Sequence, residues 1–176
     1  MIIVFCGHST YVSKPEDEKK ILDILEKRVG DEPCEIFLGE YGFFDSFAYD
    51  CSKKFKENHP NSKLIFVTPY SSLEHRKKYG EYNKNRFDMI IYPELDNVPL
   101  RFAISKRNKW MVEQADIVIA YITHTYGGAY ATYRHAKKKN KEIYNISSCS
   151  IELFLPPQNN LKYFLERNLV HNNEIF

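Results

Sequence analysis

The feature that most constrains the fold of this chain is a regular alternation of short apolar runs with longer amphipathic stretches. The apolar runs are rich in Ile, Val, Leu and Phe, and several end at Gly or Pro, which is typical of buried β-strands. We predict strands at residues 2–6, 35–38, 63–68, 89–92, 116–122 and 142–146. The stretches between them have helical spacing, and we predict helices at residues 14–29, 44–58, 100–114 and 127–139. Strands that alternate with helices favour right-handed βαβ units.

This order of elements predicts an α/β fold, namely a Rossmann-like three-layer sandwich with a mostly parallel sheet of about six strands. The 176 residues are enough for one domain. We expect that domain to span residues 1–147, with residues 148–176 as a C-terminal extension packed on the same domain. A short helical pattern lies within the extension, at residues 161–169.

Charge and composition narrow the class of protein. The 25 Lys and Arg residues nearly balance the 23 Asp and Glu residues, for a net charge of +2. Since nucleic-acid and membrane-surface binding need a concentrated basic face, we do not expect nucleic acid or a membrane as a partner. No apolar stretch approaches the ~20 residues of a membrane span, and the N-terminus lacks the pattern of a secretory signal.

The cysteine and histidine patterns give no sign of a metal or a cofactor. Cys6, Cys34, Cys51 and Cys149 form no CxxC pair and match no zinc spacing, so we expect buried reduced thiols and a cytoplasmic protein. The six histidines form no HExxH motif. We therefore expect no metal site and no cofactor.

Ligands of open α/β sheets bind beyond the carboxyl ends of the strands, so the loops there are the candidate site. After the first strand come Gly7, His8 and Ser9, which suit either a phosphate contact or an ordinary strand-to-helix turn. After the second strand come Gly42 and Asp45, where the carboxylate either caps the next helix or accepts from a ribose hydroxyl.

The best candidate for a phosphate cradle follows the strand at 116–122. Gly127 and Gly128 open a helix there, and Thr132 adds a hydroxyl in its first turns. Glycine leaves backbone N–H groups accessible, and the N-terminus of a helix attracts anions. On the preceding helix, Arg107 and Asn108 could pair with a charged ligand or lie on a solvated surface.

Four short motifs then occur in one order along the chain: Gly7-His8, Gly42-x-x-Asp45, Arg107-Asn108-x-x-Met111 and Gly127-Gly128-x-x-x-Thr132. In these the sequence resembles the SLOG superfamily, the Rossmann-like nucleotide-binding proteins named after the Smf/DprA and LOG families. It is most similar to the small stand-alone bacterial members. The resemblance implies a sensor or sequestering protein that binds a nucleotide or an ADP-ribose-like molecule. It implies ligand contacts at Gly7, His8, Ser9, Gly42, Asp45, Arg107, Asn108, Gly127, Gly128 and Thr132.

The LOG branch is similar over residues 107–132 and implies an alternative, an N-glycosidase that cleaves nucleoside 5′-monophosphates to base and ribose 5-phosphate. The chain departs from that branch at the acidic position, which here is His135, preceded by Arg134. A carboxylate would stabilise the oxocarbenium-like transition state, whereas basic groups would not, so binding is the leading hypothesis. If the protein is an enzyme, Arg107 and Glu113 are the candidate catalytic residues, and Glu40 or Asp45 could supply a carboxylate.

The Smf/DprA side of the superfamily implies a third hypothesis, single-stranded nucleic-acid binding. It requires the lysine-rich segment 137–141 and the basic, Tyr-rich segment 76–86 to form one continuous surface. We rank it below the other two. The resemblance also implies a homo-oligomer, and the aromatic residues Tyr163, Phe164 and Phe176 fit an interface or a core.

Overall fold

The computed structural model describes residues 1–70, 85–93, 95, 98–147 and 152–154, the last three as backbone only. The described strands are β1 Ile2–Gly7, β2 Glu35–Leu38, β3 Lys63–Val67, β4 Met89–Ile91, β5 Ile117–Tyr121, β6 Glu142–Asn145 and β7 Glu152–Phe154. The described helices are α1 Pro15–Arg28, α2 Phe43–Asn58, α3 Leu100–Gln114 and α4 Gly127–Lys138.

The strands form one sheet in the order β4-β3-β2-β1-β5-β6-β7. The first six are parallel to one another, and β7 pairs antiparallel with β6. The α/β fold with a mostly parallel sheet is therefore confirmed. The order reverses between β1 and β5, which makes the carboxyl ends of these two strands the topological switch point, where α/β proteins bind ligands.

Two apolar cores cover the two faces of the sheet, because successive strand residues point to opposite sides. On β1, Ile3 and Phe5 pack with α1 and α2, while Val4 and Cys6 pack with α3 and α4. Because a central strand is buried on both faces, its side chains on both sides are apolar, and its sequence is a continuous apolar run.

Helix α3 packs on the sheet near its C-terminal end but not in its first turn. Met111 is buried and Trp110 stacks on Phe37. Phe102 is 46% exposed and Leu100 is 78% exposed. The described residues therefore leave the first turn of α3 uncovered.

The predicted C-terminal extension is described only at residues 152–154, where β7 adds an edge strand to the sheet. The predicted helix at 161–169 lies outside the described residues, so the domain boundary stays a prediction. Cys6, Cys34 and Cys51 are buried free thiols, and Cys149 lies outside the described residues. Within the described ranges, no helix is both long enough and apolar enough to cross a membrane.

Candidate functional site

A cavity of about 430 Å³ opens at the switch point, beyond the carboxyl ends of β1 and β5. This volume lies within the range of small-molecule sites, ~300–1,000 Å³. The structure brings together nine of the ten ligand-binding residues that the sequence suggested. They are Gly7, His8, Ser9, Asp45, Arg107, Asn108, Gly127, Gly128 and Thr132. That these residues contact a ligand stays a prediction.

Gly42 is the predicted ligand residue that does not line the cavity. Its φ of +105° favours glycine, and a Cβ there would lie 2.8 Å from Cα and Cβ of Ser9. The next residue, Phe43, donates its N–H to the carbonyl oxygen of Ser9 over 3.2 Å. Gly42 therefore holds the loop after β2 against the loop after β1, and its effect on the cavity is to position Ser9.

The N-terminus of α4 faces open space at the cavity. Tyr126, the N-cap residue, has no side-chain capping hydrogen bond, and the first turn of α4 has no acidic residue. Gly127 has a φ of +82°, and a Cβ on Gly127 or Gly128 would meet nothing within 4 Å. The first N–H groups of a helix have no intrahelical acceptor, so this end of α4 offers donors and positive partial charge to an anion.

Thr132 has a different role from the one expected of it. Its buried hydroxyl donates to the carbonyl oxygen of Gly128 over 2.9 Å, and Nδ2 of Asn108 approaches the same Oγ1 at 3.5 Å. The hydroxyl proton is therefore already engaged within α4. In this arrangement Thr132 and Asn108 tie α3 to α4 below the cavity.

Arg107 is a buried cation in the wall of the cavity, with only 1% of its surface exposed. Its Nη1 donates to the carbonyl oxygen of Val67 over 2.8 Å, whereas its Nε has no hydrogen-bond partner among the described residues. Burial lowers the pKa of Arg107, against the charge of Asp45, which raises it. A buried cation with an unpaired donor is costly unless an anion or acceptor compensates it.

Gly39 makes room for this guanidinium. A Cβ at Gly39 would lie 2.2 Å from Nη1 of Arg107 and 2.7 Å from Cζ, so any side chain would displace the arginine. The sequence shows a glycine at the end of a strand but gives no sign of the arginine that passes it.

Asp45 contributes to the turn into α2 and to the wall of the cavity, whereas a contact with a ribose hydroxyl stays a prediction. Its Oδ2 accepts from the N–H of Tyr41 over 2.7 Å, which closes the turn into α2, and the residue also lines the cavity. Burial raises the pKa of Asp45 to about 6, although the Tyr41 N–H and the charge of Arg107 lower it. The cavity therefore contains a carboxyl group that titrates close to neutral pH.

Three aromatic rings stack on one another beside the N-terminus of α4. His8 lies on His124 with ring centroids 3.6 Å apart, and His124 lies on Tyr126 with centroids 3.9 Å apart. Nε2 of His8 accepts from the N–H of Thr123 over 3.1 Å, which places the proton of the neutral ring on Nδ1. Burial, and then the neighbouring His124, lower the pKa of His8, which favours the neutral form. The sequence did not suggest His124 or Tyr126 as site residues.

Glu113, the candidate acid of the enzyme hypothesis, does not line the cavity. It forms an ion pair with Lys139 at 3.3 Å, and its Oε1 lies 3.2 Å from Nε2 of His135. Although desolvation raises the pKa of Glu113, its hydrogen bonds to Lys139 and His135 lower it overall. Asp45 is thus the predicted carboxylate that the structure brings to the cavity. Among the described residues, no three His, Cys, Asp or Glu side chains converge as metal ligands.

No protein-family model and no curated protein matches the sequence. Among solved structures, the chain is similar to DNA processing protein A (DprA) from Helicobacter pylori, a protein with a unique single-stranded DNA binding mode. The TM-score is 0.56 with 16% identity, over 96% of this chain and 73% of that chain. The two proteins share a fold.

This finding contradicts our expectation about nucleic-acid partners. A protein with this fold binds single-stranded DNA, so the sequence-based argument against nucleic acid is wrong. The error came from the net charge, which hides an uneven distribution. Helices α3 and α4 carry four and three Lys or Arg residues respectively, against a single acidic residue, Glu113.

Proposed function

We propose that the protein binds a nucleotide in the cavity between β1 and β5, with a phosphate at the N-terminus of α4, and that it acts as a sensor or sequestering protein. The observation that carries the proposal is the buried Arg107, which lines the same cavity as the open end of α4 and whose Nε has no hydrogen-bond partner in the described part of the chain. Two independent sources of positive potential thus meet in one cavity.

The rest of the cavity suits the sugar and base of a nucleotide. Asp45 supplies an acceptor for hydroxyl groups, and Tyr41 and Tyr126 supply aromatic rings. An ADP-ribose-like ligand has the same groups. The fold shared with DprA supports placing the chain in the SLOG superfamily.

A thermal-shift panel tests this proposal: nucleoside monophosphates, ADP-ribose, cyclic ADP-ribose isomers and dinucleotides, each mixture then analysed by chromatography. A ligand that binds only the folded state raises the melting temperature by mass action. We expect a shift with at least one phosphate-containing ligand, recovered intact. No shift with any of them at millimolar concentration would refute the proposal.

The same experiment tests whether the protein hydrolyses its ligand. Asp45 favours this alternative, the N-glycosidase. A carboxyl group with a pKa of about 6 can hold or accept a proton near neutral pH, as hydrolysis of an N-glycosidic bond requires. Release of free base, abolished in Asp45→Asn, would make the protein a nucleoside 5′-monophosphate phosphoribohydrolase. Unchanged release in that variant would exclude Asp45 from the reaction.

Single-stranded DNA is a second candidate ligand, favoured by the shared fold and by the charge of α3 and α4. Lys106 and Lys109 of α3 and Arg134 and Lys138 of α4 are exposed. Arg86 contacts Tyr49 of α2, on the opposite face of the sheet from α4, so the described part of segment 76–86 does not extend this surface.

Anisotropy of a labelled single-stranded oligonucleotide tests this candidate. Binding that weakens as salt increases, and that AMP displaces, would place the strand in the same cavity. Absence of binding at low salt would exclude this function.

A further inference from the structure

The ring of Tyr126 is exposed to solvent and stacks on a neighbouring ring. The residue is 70% exposed, while one face of its ring lies on His124 at a centroid distance of 3.9 Å and an interplanar angle of 19°. Since His124 covers one face, the exposed surface includes the other. A tyrosine held in this way loses little conformational freedom when a planar group stacks on it.

The support beneath that ring continues into the protein. His124 lies on His8 with centroids 3.6 Å apart and 22° between the planes, and His8 is only 6% exposed. A backbone hydrogen bond from Thr123 holds His8 in place. The three rings thus form a stack that runs from the buried end of β1 to solvent.

In the sequence, the stack is adjacent to the proposed phosphate site at the N-terminus of α4. Tyr126 is the N-cap residue of α4, with extended backbone at φ −141° and ψ 170°, and Gly127 and Gly128 follow it directly. A ligand phosphate at the end of α4 therefore has an open aromatic face beside it. His124 also lines the cavity, and its buried Nδ1 has no hydrogen-bond partner among the described residues.

We infer that Tyr126, supported by His124 and His8, is the stacking platform for the base of the bound nucleotide, so that the site distinguishes nucleotides from sugar phosphates. This inference rests on the proposed function. Stacking tolerates every base, since each has a π-face, so the platform selects for a base without fixing which one. Tyr41, 63% exposed on the loop after β2, lines the same cavity and can cover the ligand from the other side of β1.

Isothermal titration with the four common nucleoside monophosphates and with ribose 5-phosphate tests the platform. For Tyr126→Ala we expect affinity for the best nucleoside monophosphate to fall about 5- to 100-fold, the usual effect of losing one stacked base. Affinity for ribose 5-phosphate should not change. Tyr126→Phe keeps the ring and should bind like the wild type.

Phe43→Ala is the matched control, because Phe43 is also 70% exposed but does not line the cavity. It should leave both affinities unchanged. An equal loss for nucleotide and sugar phosphate in Tyr126→Ala, or no loss for the nucleotide, would overturn the platform while leaving the proposed function intact. If the wild type binds ribose 5-phosphate as tightly as every nucleotide, the platform is also wrong. If it binds no phosphate compound, the proposed function fails and the platform with it.

Discussion

At the scale of single residues, the site combines two groups whose pKa values burial shifts. Among the described residues Nε of the buried Arg107 has no hydrogen-bond partner, and the pKa of Asp45 is raised to about 6. Strongly perturbed groups that meet in a cleft are typical of functional sites. Substitutions of Arg107 and of Asp45 should therefore have separate, measurable effects on binding.

Replacing Arg107 by Lys should weaken phosphate binding. Lysine keeps the charge but loses the planar fork of donors, so we expect AMP affinity to fall about 10- to 100-fold, as for lost hydrogen bonds to a charged group. Titration calorimetry measures the loss. Arg101→Lys is the control, because Arg101 is exposed on the same helix and does not line the cavity. Equal AMP affinity in the two variants would show that Arg107 does not contact the phosphate.

Titration of Asp45 should make AMP binding depend on pH. Since its pKa is raised to about 6, the carboxylate carries a negative charge at pH 7.5 that repels a phosphate and is lost as the pH falls. Asn keeps an oxygen that can accept from a ribose hydroxyl but lacks this negative charge, so we expect Asp45→Asn to bind AMP several-fold more tightly than the wild type at pH 7.5. The two affinities should converge near pH 5. The ratio of affinities is the measured quantity, because titration of the ligand itself then cancels. A ratio that stays constant with pH would contradict this account.

The raised pKa of Asp45 should also make the folding stability of the protein depend on pH. A carboxyl group with a raised native pKa binds more protons when folded than when unfolded between about pH 4 and 6, so its contribution to stability falls as the pH rises through that window. Asp45→Asn should therefore raise the melting temperature more at pH 7.5 than at pH 4. An amide oxygen can still accept from Tyr41, so the turn into α2 should be kept. An equal change at both pH values would mean that ionisation of Asp45 has no cost.

At the scale of elements, close approaches between loops and helices position the cavity. Gly7 lies under Phe44, so that a Cβ there would come within 2.3 Å of the ring, and Phe44 is completely buried. Gly128 is the opposite case, with no neighbour within 4 Å of its would-be Cβ and no positive φ. The two glycines therefore respond differently to the same change.

Gly7→Ala should lower the free energy of unfolding by about 1–3 kcal/mol, the range for overpacking a core. Gly128→Ala should change it by less than about 0.5 kcal/mol, as for open surface positions. Urea denaturation of both variants measures the difference. A Gly7→Ala protein as stable as the wild type would mean that α2 can move away from β1 without cost.

Most elements could be predicted from the sequence, because apolar periodicity is a short-range pattern. Nine of the ten suggested ligand residues line one cavity, and their contact with a ligand stays a prediction. Apolar runs define strands, and parallel strands bring the loops after them to one edge. What the sequence could not show depends on packing between distant residues. The stack of His8 on His124, the passage of Arg107 past Gly39 and the clamping of Ser9 by Gly42 all join separate loops and elements. Strand β7, the antiparallel strand at the edge of the sheet, was not predicted from the sequence.

At the scale of the whole molecule, near-neutral composition conceals a basic surface. Helices α3 and α4 lie on one side of the sheet and are rich in Lys and Arg, whereas α1 and α2 lie on the other side. This separation is what the net charge of +2 could not reveal. It predicts where a nucleic-acid strand would bind.

The double variant Lys109→Gln/Lys138→Gln should reduce the salt dependence of single-stranded DNA binding. Each lost phosphate contact lowers the slope of log affinity against log salt by ~0.7, so we expect a decrease of about 1.4 if both lysines contact the strand. Lys27→Gln/Lys53→Gln removes the same charge from exposed positions on α1 and α2 and is the control. Equal slopes in both double variants would place the strand elsewhere.

Gly128→Asp tests whether the open end of α4 holds a phosphate. Gly128→Ala adds a Cβ in open space, whereas Gly128→Asp adds a negative charge at the same point. Titration calorimetry with the ligand that gives the largest thermal shift compares the two folded variants. We predict wild-type affinity in Gly128→Ala and at least a tenfold loss, about 1.4 kcal/mol, in Gly128→Asp. Unchanged affinity in a folded Gly128→Asp protein would contradict binding of the phosphate there.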